Sequence, residues 1–436
     1  MRRAAEPGVV EAPGGLPLVG HLAAFHRDRL GFLDACRATG GPVVRLRFAR
    51  PTYLLLEPED IGHVLVSYAT YAKTDRLTDG RGQRAVGGGV LVAREGVHRD
   101  QRRTVRHVLS ARRLERFGER VVTHTDRTID GWRDGGPVDV SRAMSELARD
   151  VMLDVVFGAD DAAGRETIFA GIAERRRSLD RSAHSPLRFP GRLPLALGPR
   201  RRRALEGLDE AIEARLQGGR DSVLSDLAST DDATPDGARD EAVSLGVAGY
   251  ETVGQGLAWC LLAVSGSPDV LARLEDEVEQ LGGAPPAASD LALLQYATAC
   301  FEEAMRLRPP SWIVVRDVLR EDTLPSGAQL ARGARVYASQ WVTHRDPRLH
   351  PAPERFDPER FLDGGSARGD VYAYFPFGAG PRDCIGRGLA LLEGALVLAR
   401  VVQRISLEPP VRPPRLDAGM VLRPAGGLPM VAHRRA

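Results

Sequence analysis

The stretch "YFPFGAGPRDCIGRGLALLEG", residues 374–394, carries one of the four cysteines of a 436-residue chain. Cys260 and Cys300 sit inside periodic apolar segments, as core thiols do. Cys384 sits in a loop of Gly and Pro beside Arg382, just before an apolar helical run. The thiolate is the form of cysteine that binds metal, and positive charge and N–H donors favour it. Gly378, Gly380 and Gly386 allow close backbone approach and are expected to take positive φ, so that N–H groups can point at the sulfur. The helix that follows offers an N-terminus that favours an anion. Four cysteines at irregular spacing make neither a disulfide framework nor a zinc site. A lone thiolate on a large cofactor points to haem. The other reading is a turn with an incidental thiol.

The apolar and charged fractions, 43% and 27%, are those of a soluble globular protein. A net charge of +2 argues against a general nucleic-acid binder. The run "RRRR" at 200–203 follows Gly-Pro and reads as a solvated helix start. Lys73 is the only lysine, which fits a GC-rich genome. The opening residues contain no apolar signal region. The longest uncharged run, 252–268, is too short and too polar to span a membrane. A cytoplasmic, reducing setting fits these features. No repeat, low-complexity linker or composition break divides the chain, so residues 1–436 are expected to form a single domain.

The segment "PVVRLRFARPTYLLLEPEDI" alternates around a proline and predicts a strand pair. Residues 77–96 are Gly-rich and predict a loop. Residues 97 to about 160 read as helical. Residues 183–203 hold four prolines and must connect helices. A long helical pattern runs from Thr234, a capping residue before Pro235, to Gly266. Another covers about 290–308 and stops at Pro309. Residues 311–340 read as short strands, and β-richer parts are expected near 40–75, 311–340 and 405–436. The whole is mainly α with a smaller β region.

Phe377, Gly380, Arg382, Cys384 and Gly386 match the haem-binding signature of the cytochrome P-450 superfamily, and the chain resembles its soluble bacterial type. Four further matches follow in the family's order. In "FEEAMRLRPP", Glu303 and Arg306 share one helix face at i, i+3. Alone they would read as an exposed pair. In "FDPERF", Arg360 resembles the residue that completes a buried charge network with them. In "AGYETV", Glu251 and Thr252 match the family's acid–alcohol pair on the oxygen side of the haem. Alone, Thr252 would read as a residue bonding back to its own helix. Five glycines (237, 246, 249, 254, 256) lie in that helical pattern, each costing about 1 kcal/mol relative to Ala. Something must pack against the backbone there, or the helix must open. In "GVHRDQRRTVRHVL", His98 and Arg102 at i, i+4 match a pair that bonds a haem propionate, and Arg316 and Arg382 match two more propionate partners.

The resemblance implies the cytochrome P-450 fold, a triangular helix-rich prism with haem b (iron protoporphyrin IX) between the 235–266 helix and the Cys384 loop. It implies a monooxygenase that inserts one atom of O2 into a C–H or C=C bond. Cys384 is then the axial ligand, whose thiolate favours O–O cleavage. Thr252 holds dioxygen, Glu251 relays protons, and Glu303, Arg306 and Arg360 are scaffold. Substrate contacts are expected in the loop 77–94, the connection 185–198, and at Val247, Ala248, Thr252, Ser311, Trp312, Ile313, Val314, Met420, Val421 and Leu422. These mostly apolar positions imply a hydrophobic small molecule, a terpenoid or polyketide of bacterial secondary metabolism, with a fatty acid as the alternative. No nicotinamide or flavin fingerprint follows the haem region. Electrons are therefore expected from NAD(P)H through a reductase and a ferredoxin docking on exposed Arg99, Arg103 and Arg106. A monomer is expected. A peroxide-driven member and a non-catalytic haem sensor are the rival readings; peroxide-driven members lose the acid–alcohol pair, and the presence of Glu251 and Thr252 here argues against both.

Overall fold

A computed structural model describes residues 8–73, 83, 86–184, 198–231, 234–363, 365, 369–370 and 372–435. The chain forms two compact units. One comprises Met1–Thr74, Ala299–Cys384 and Arg415–Ala425; the other comprises Asp75–Thr298, Ile385–Pro414 and Gly426–Ala436.

The first unit is built on a mixed six-stranded sheet. Its strands run in the order Val9–Glu11, Val43–Arg47, Pro51–Leu55, Arg335–Ala338, Val314–Val318, Tyr71–Lys73. The anticipated strand pair is the antiparallel ladder of 43–47 with 51–55, in which Arg45 opposes Tyr53. Pro51 is tolerated because it opens its strand. Successive side chains point to opposite faces. Val43, Tyr53 and Leu55 therefore enter one core with Val318, Val336 and Phe375. Val44, Leu46 and Leu54 enter another with Leu33, Trp312 and Trp341. The "PSGAQ" turn closes a two-stranded hairpin, with Gly327 at φ +84°.

The second unit is largely helical. The helical stretch expected from 97 to about 160 divides into several pieces. Glu95–Val108 and Gly118–Asp130 precede a strand, Gly136–Asp139, and then comes Val140–Phe157. The strand exists because 429–434 pairs with it and with 405–408. Thr234 caps as expected, accepting the Gly237 N–H at 3.1 Å. The long helical pattern is broken, however. Pro235–Gly249 ends at Tyr250, and Glu251–Ser265 begins directly after it. Both explanations for the glycines hold: the helix opens at 250, and Gly254 is a close contact. A Cβ on Gly254 would lie 2.6 Å from the Ser145 Cα on the helix Val140–Phe157. Gln255 fastens the same two helices, donating to Ser145 Oγ at 2.8 Å and accepting from Ser141 Oγ at 3.1 Å. Among the described residues, no single helix is long and apolar enough to cross a membrane.

Candidate active site

Cys384 is the one exposed cysteine; Cys36, Cys260 and Cys300 are buried. Burial pushes the Cys36 thiol up to about 12 and raises that of Cys260 further, so both stay protonated. The Cys384 loop is shaped by its glycines. Gly378 and Gly380 have φ of +70° and +72°. A Cβ on Gly380 would sit 2.3 Å from the Leu65 carbonyl oxygen, so only glycine fits. Gly386 departs from expectation: its φ is −85°, because it caps the helix Arg387–Arg404. A short 3₁₀ turn, Gly380–Arg382, leads to Asp383, and the Cys384 N–H donates to the Phe377 carbonyl at 2.7 Å.

Cations gather close to this loop. Lys73 and Arg316 stand directly opposite each other on paired antiparallel strands. Like charges so placed repel. Burial, then Arg316, then Arg382, push the Lys73 ammonium down to about 7. Three cations crowded in a partly buried place suit a ligand carrying carboxylates. The donor set therefore fits haem propionates. Arg316 and Arg382 are among the expected propionate partners; Lys73 is not, because its place opposite Arg316 comes from strand pairing between distant residues.

Glu303, Arg306 and Arg360 meet inside the same unit. The Arg306 guanidinium donates to Glu303 from Nε at 2.6 Å and from Nη2 at 2.8 Å, and both side chains are fully buried. Arg306 also donates to the carbonyls of His344 at 2.7 Å and Arg355 at 3.1 Å. Arg360 pairs with Glu303 at 3.4 Å, and the Asp357 N–H donates to it at 2.9 Å. Burying charges is costly unless each finds partners, and here each does.

In the second unit, Glu251 opens the helix after the break and is ion-paired with Arg176. The Thr252 hydroxyl donates to the Ala248 carbonyl at 3.0 Å, the back-bond a helical Thr makes. His98 is buried and Arg102 half-buried on the helix Glu95–Val108, while Arg99, Arg103 and Arg106 are exposed.

Of the expected substrate positions, Val247 and Val421 are buried, Ser311, Ile313 and Val314 are half-buried, and Ala248 and Met420 are exposed. Trp312 departs from a substrate-facing role. Its indole packs in the core with Leu33 and Trp341, and its N–H donates to the Gly419 carbonyl at 2.9 Å. Residues 77–82, 84–85 and 185–197 of the two expected loops lie outside the described residues. The described part, 86–94, lies on the helix Pro235–Gly249: the Gly88 N–H donates to Asp240 at 2.6 Å and the Val90 N–H to Glu241 at 2.9 Å. Burial pushes the Glu241 carboxyl up to about 7, against the Val90 bond and with help from Asp240. Glu241 and Arg176 carried no motif that would have revealed them.

Residues 11–428 match the family model described as cytochrome P450. The chain is 32% identical to cyclooctatin synthase of Streptomyces melanosporofaciens, covering 94% of this chain and 93% of that one. It is 33% identical to cyclooctat-9-en-7-ol 5-monooxygenase of the same organism, covering 97% and 95%. Among solved structures, a cytochrome P450DA haem domain superposes with a TM-score of 0.84 at 18% identity, covering 99% of both chains. CYP175A1 from Thermus thermophilus superposes at 0.75 and 28%, covering 98% and 99%. The chain belongs to the cytochrome P450 family and has its fold. It is a P450 monooxygenase, and the family's chemistry implies haem with a thiolate ligand and the use of O2.

Proposed function

We propose that this monooxygenase hydroxylates or epoxidises a terpenoid in bacterial secondary metabolism. The observation that carries the reading is its near full-length similarity to terpenoid-tailoring relatives: cyclooctatin synthase, cyclooctat-9-en-7-ol 5-monooxygenase and, at 29% over 91% of both chains, pentalenene oxygenase of Streptomyces avermitilis.

When bound, the haem supplies the oxygen-inserting chemistry, with one oxygen atom entering substrate and the other leaving as water at the cost of two electrons and two protons. Cys384 is the thiolate ligand. Arg316 and Arg382, with Lys73 beside them, and His98 with Arg102 would hold the propionates. Glu251 and Thr252 move protons. Glu303, Arg306 and Arg360 hold the scaffold. Residues 1–436 are read as one haem domain, a reading supported by the unbroken family match over residues 11–428. The electrons come from NAD(P)H through a reductase and a ferredoxin.

The test is titration of the purified ferric protein with terpene hydrocarbons, terpene alcohols and fatty acids, followed by product analysis with a ferredoxin system. A terpenoid is expected to shift the haem absorption band and to gain one oxygen. A shift and turnover with fatty acids alone would overturn the terpenoid reading in favour of a fatty-acid hydroxylase.

A further inference from the structure

His344 is bound at both ends. It closes the short helix Gln340–Thr343, and its backbone carbonyl accepts from Arg306 Nη1 at 2.7 Å. Its ring nitrogen Nε2 lies 2.9 Å from the Phe375 N–H. An N–H can only donate, so Nε2 must be the bare, accepting nitrogen and the proton must sit on Nδ1. The imidazole is fully buried, with Phe375 edge-on at 5.2 Å and Tyr374 at 5.2 Å. Burial, His350 and Arg306 all push its pKa well below the ordinary histidine value, so this neutral state persists.

Phe375 is the entry to the cysteine loop. Its carbonyl accepts the Gly378 N–H at 2.9 Å, and Phe377 then accepts the Cys384 N–H at 2.7 Å. The two preceding residues are held as well: His350 Nε2 donates to the Ala373 carbonyl at 3.0 Å, and the Tyr374 hydroxyl donates to the Glu302 carbonyl at 2.9 Å. Three consecutive residues are thus pinned before the loop begins. Of these three anchors, His344 also accepts a hydrogen bond from Arg306 of the Glu303–Arg306 pair. The geometry points to His344 as a positioning residue that transmits the buried charge network to the thiolate loop, through one carbonyl and one ring nitrogen. This rests on the haem-thiolate reading of Cys384. Without the ring acceptor, the Phe375 N–H is buried and unsatisfied, and the loop gains freedom where the ligand is presented.

The experiment compares the haem-loaded full chain with His344→Leu, which removes the acceptor, and His344→Gln, whose Oε1 can replace Nε2. Two readouts apply: the rate at which the thiolate band of the reduced, CO-bound protein is lost in mild guanidinium, and the ferric/ferrous midpoint potential. His344→Leu should lose the band about tenfold faster and move the potential, with His344→Gln within about twofold of the parent. Parent-like behaviour of His344→Leu in both readouts overturns the proposal. So does a His344→Gln as impaired as His344→Leu, because ring packing would then be the cause. Should His344→Leu fail to fold, His344→Asn, whose acceptor falls short, takes its place with the same readings. A parent without the thiolate band would overturn the haem-thiolate reading itself, and this proposal with it.

Discussion

Arg176, on the helix Ala162–His184, holds the carboxylate of Glu251 at the residue where the helix Glu251–Ser265 begins. The same guanidinium reaches the Tyr250 hydroxyl at 3.4 Å. One side chain thereby engages both residues at the break. A carboxylate so held is oriented, and if Glu251 relays protons it must do so beside Arg176. Replacing Arg176 with Gln should lower product formed per electron about two- to tenfold and change the solvent isotope effect on turnover, with haem content unaltered. If coupling and isotope effect both match the parent, Glu251 does not work through this pair.

Thr252 back-bonds within its own helix, so its removal leaves no long-range contact broken. Thr252→Ala should change stability by no more than about 1 kcal/mol while diverting reductant to peroxide. Thr252→Ser should restore product. Peroxide and product yields at fixed reductant decide it: unchanged yields would leave Thr252 a helix residue only.

The Glu303–Arg306 pair predicts a harsher outcome. Arg306→Ala leaves the buried Glu303 carboxylate with Arg360 as its remaining cation, at a cost of about 3–5 kcal/mol. The expected protein is mostly haem-free or insoluble. Absorbance ratios of haem to protein measure this directly, and a fully loaded variant would contradict the account.

Glu241 gives a pH dependence. Its carboxyl is raised to about 7 in the folded chain from an ordinary 4.5, with burial as the main cause. The protonated form is therefore favoured by folding. Its contribution is complete below about pH 4.5 and is lost as pH rises through about 7, up to about 3 kcal/mol. Glu241→Gln keeps an acceptor for the Val90 N–H without the charge. Relative to the parent it should gain stability between pH 5 and pH 8 in denaturant titrations. A constant difference across that range would show that Glu241 does not titrate there.

Arg99, Arg103 and Arg106 share an exposed face of the helix Glu95–Val108, where Asp100 pairs with Arg103 at 3.3 Å. Arg103→Glu with Arg106→Glu should slow reduction by an acidic ferredoxin at low salt and leave substrate affinity alone. Stopped-flow rates at two salt concentrations measure it. Parent-like reduction at low salt would place electron entry elsewhere.

What the chain revealed in advance was local. The cysteine loop, the Glu303–Arg306 spacing and the strand pair about Pro51 each lie within a few residues of sequence. The misses depended on distant partners. Strand 136–139 forms because residues 429–432 pair with it. Trp312 faces the core because Leu33, Trp341 and Gly419 surround it. Lys73 matters through its register with Arg316, and Arg176 through a helix whose spacing carries no signature of the contact. Helix opening at Tyr250 was allowed for by the glycines, but its position was not.

Lys73 also makes this chain unusually easy to report on. It is the only lysine, so an amine-directed acylating reagent has one side-chain target besides the N-terminus. Burial and its two arginine neighbours push its ammonium down to about 7, so it gives up a proton more readily than an ordinary lysine. A carboxylate ligand bound among Lys73, Arg316 and Arg382 would return the proton and shield the nitrogen. Should haem propionates bind there, one mass increment on one peptide is expected to fall as cofactor is loaded, a measure of occupancy read without light absorption, substrate or redox partner.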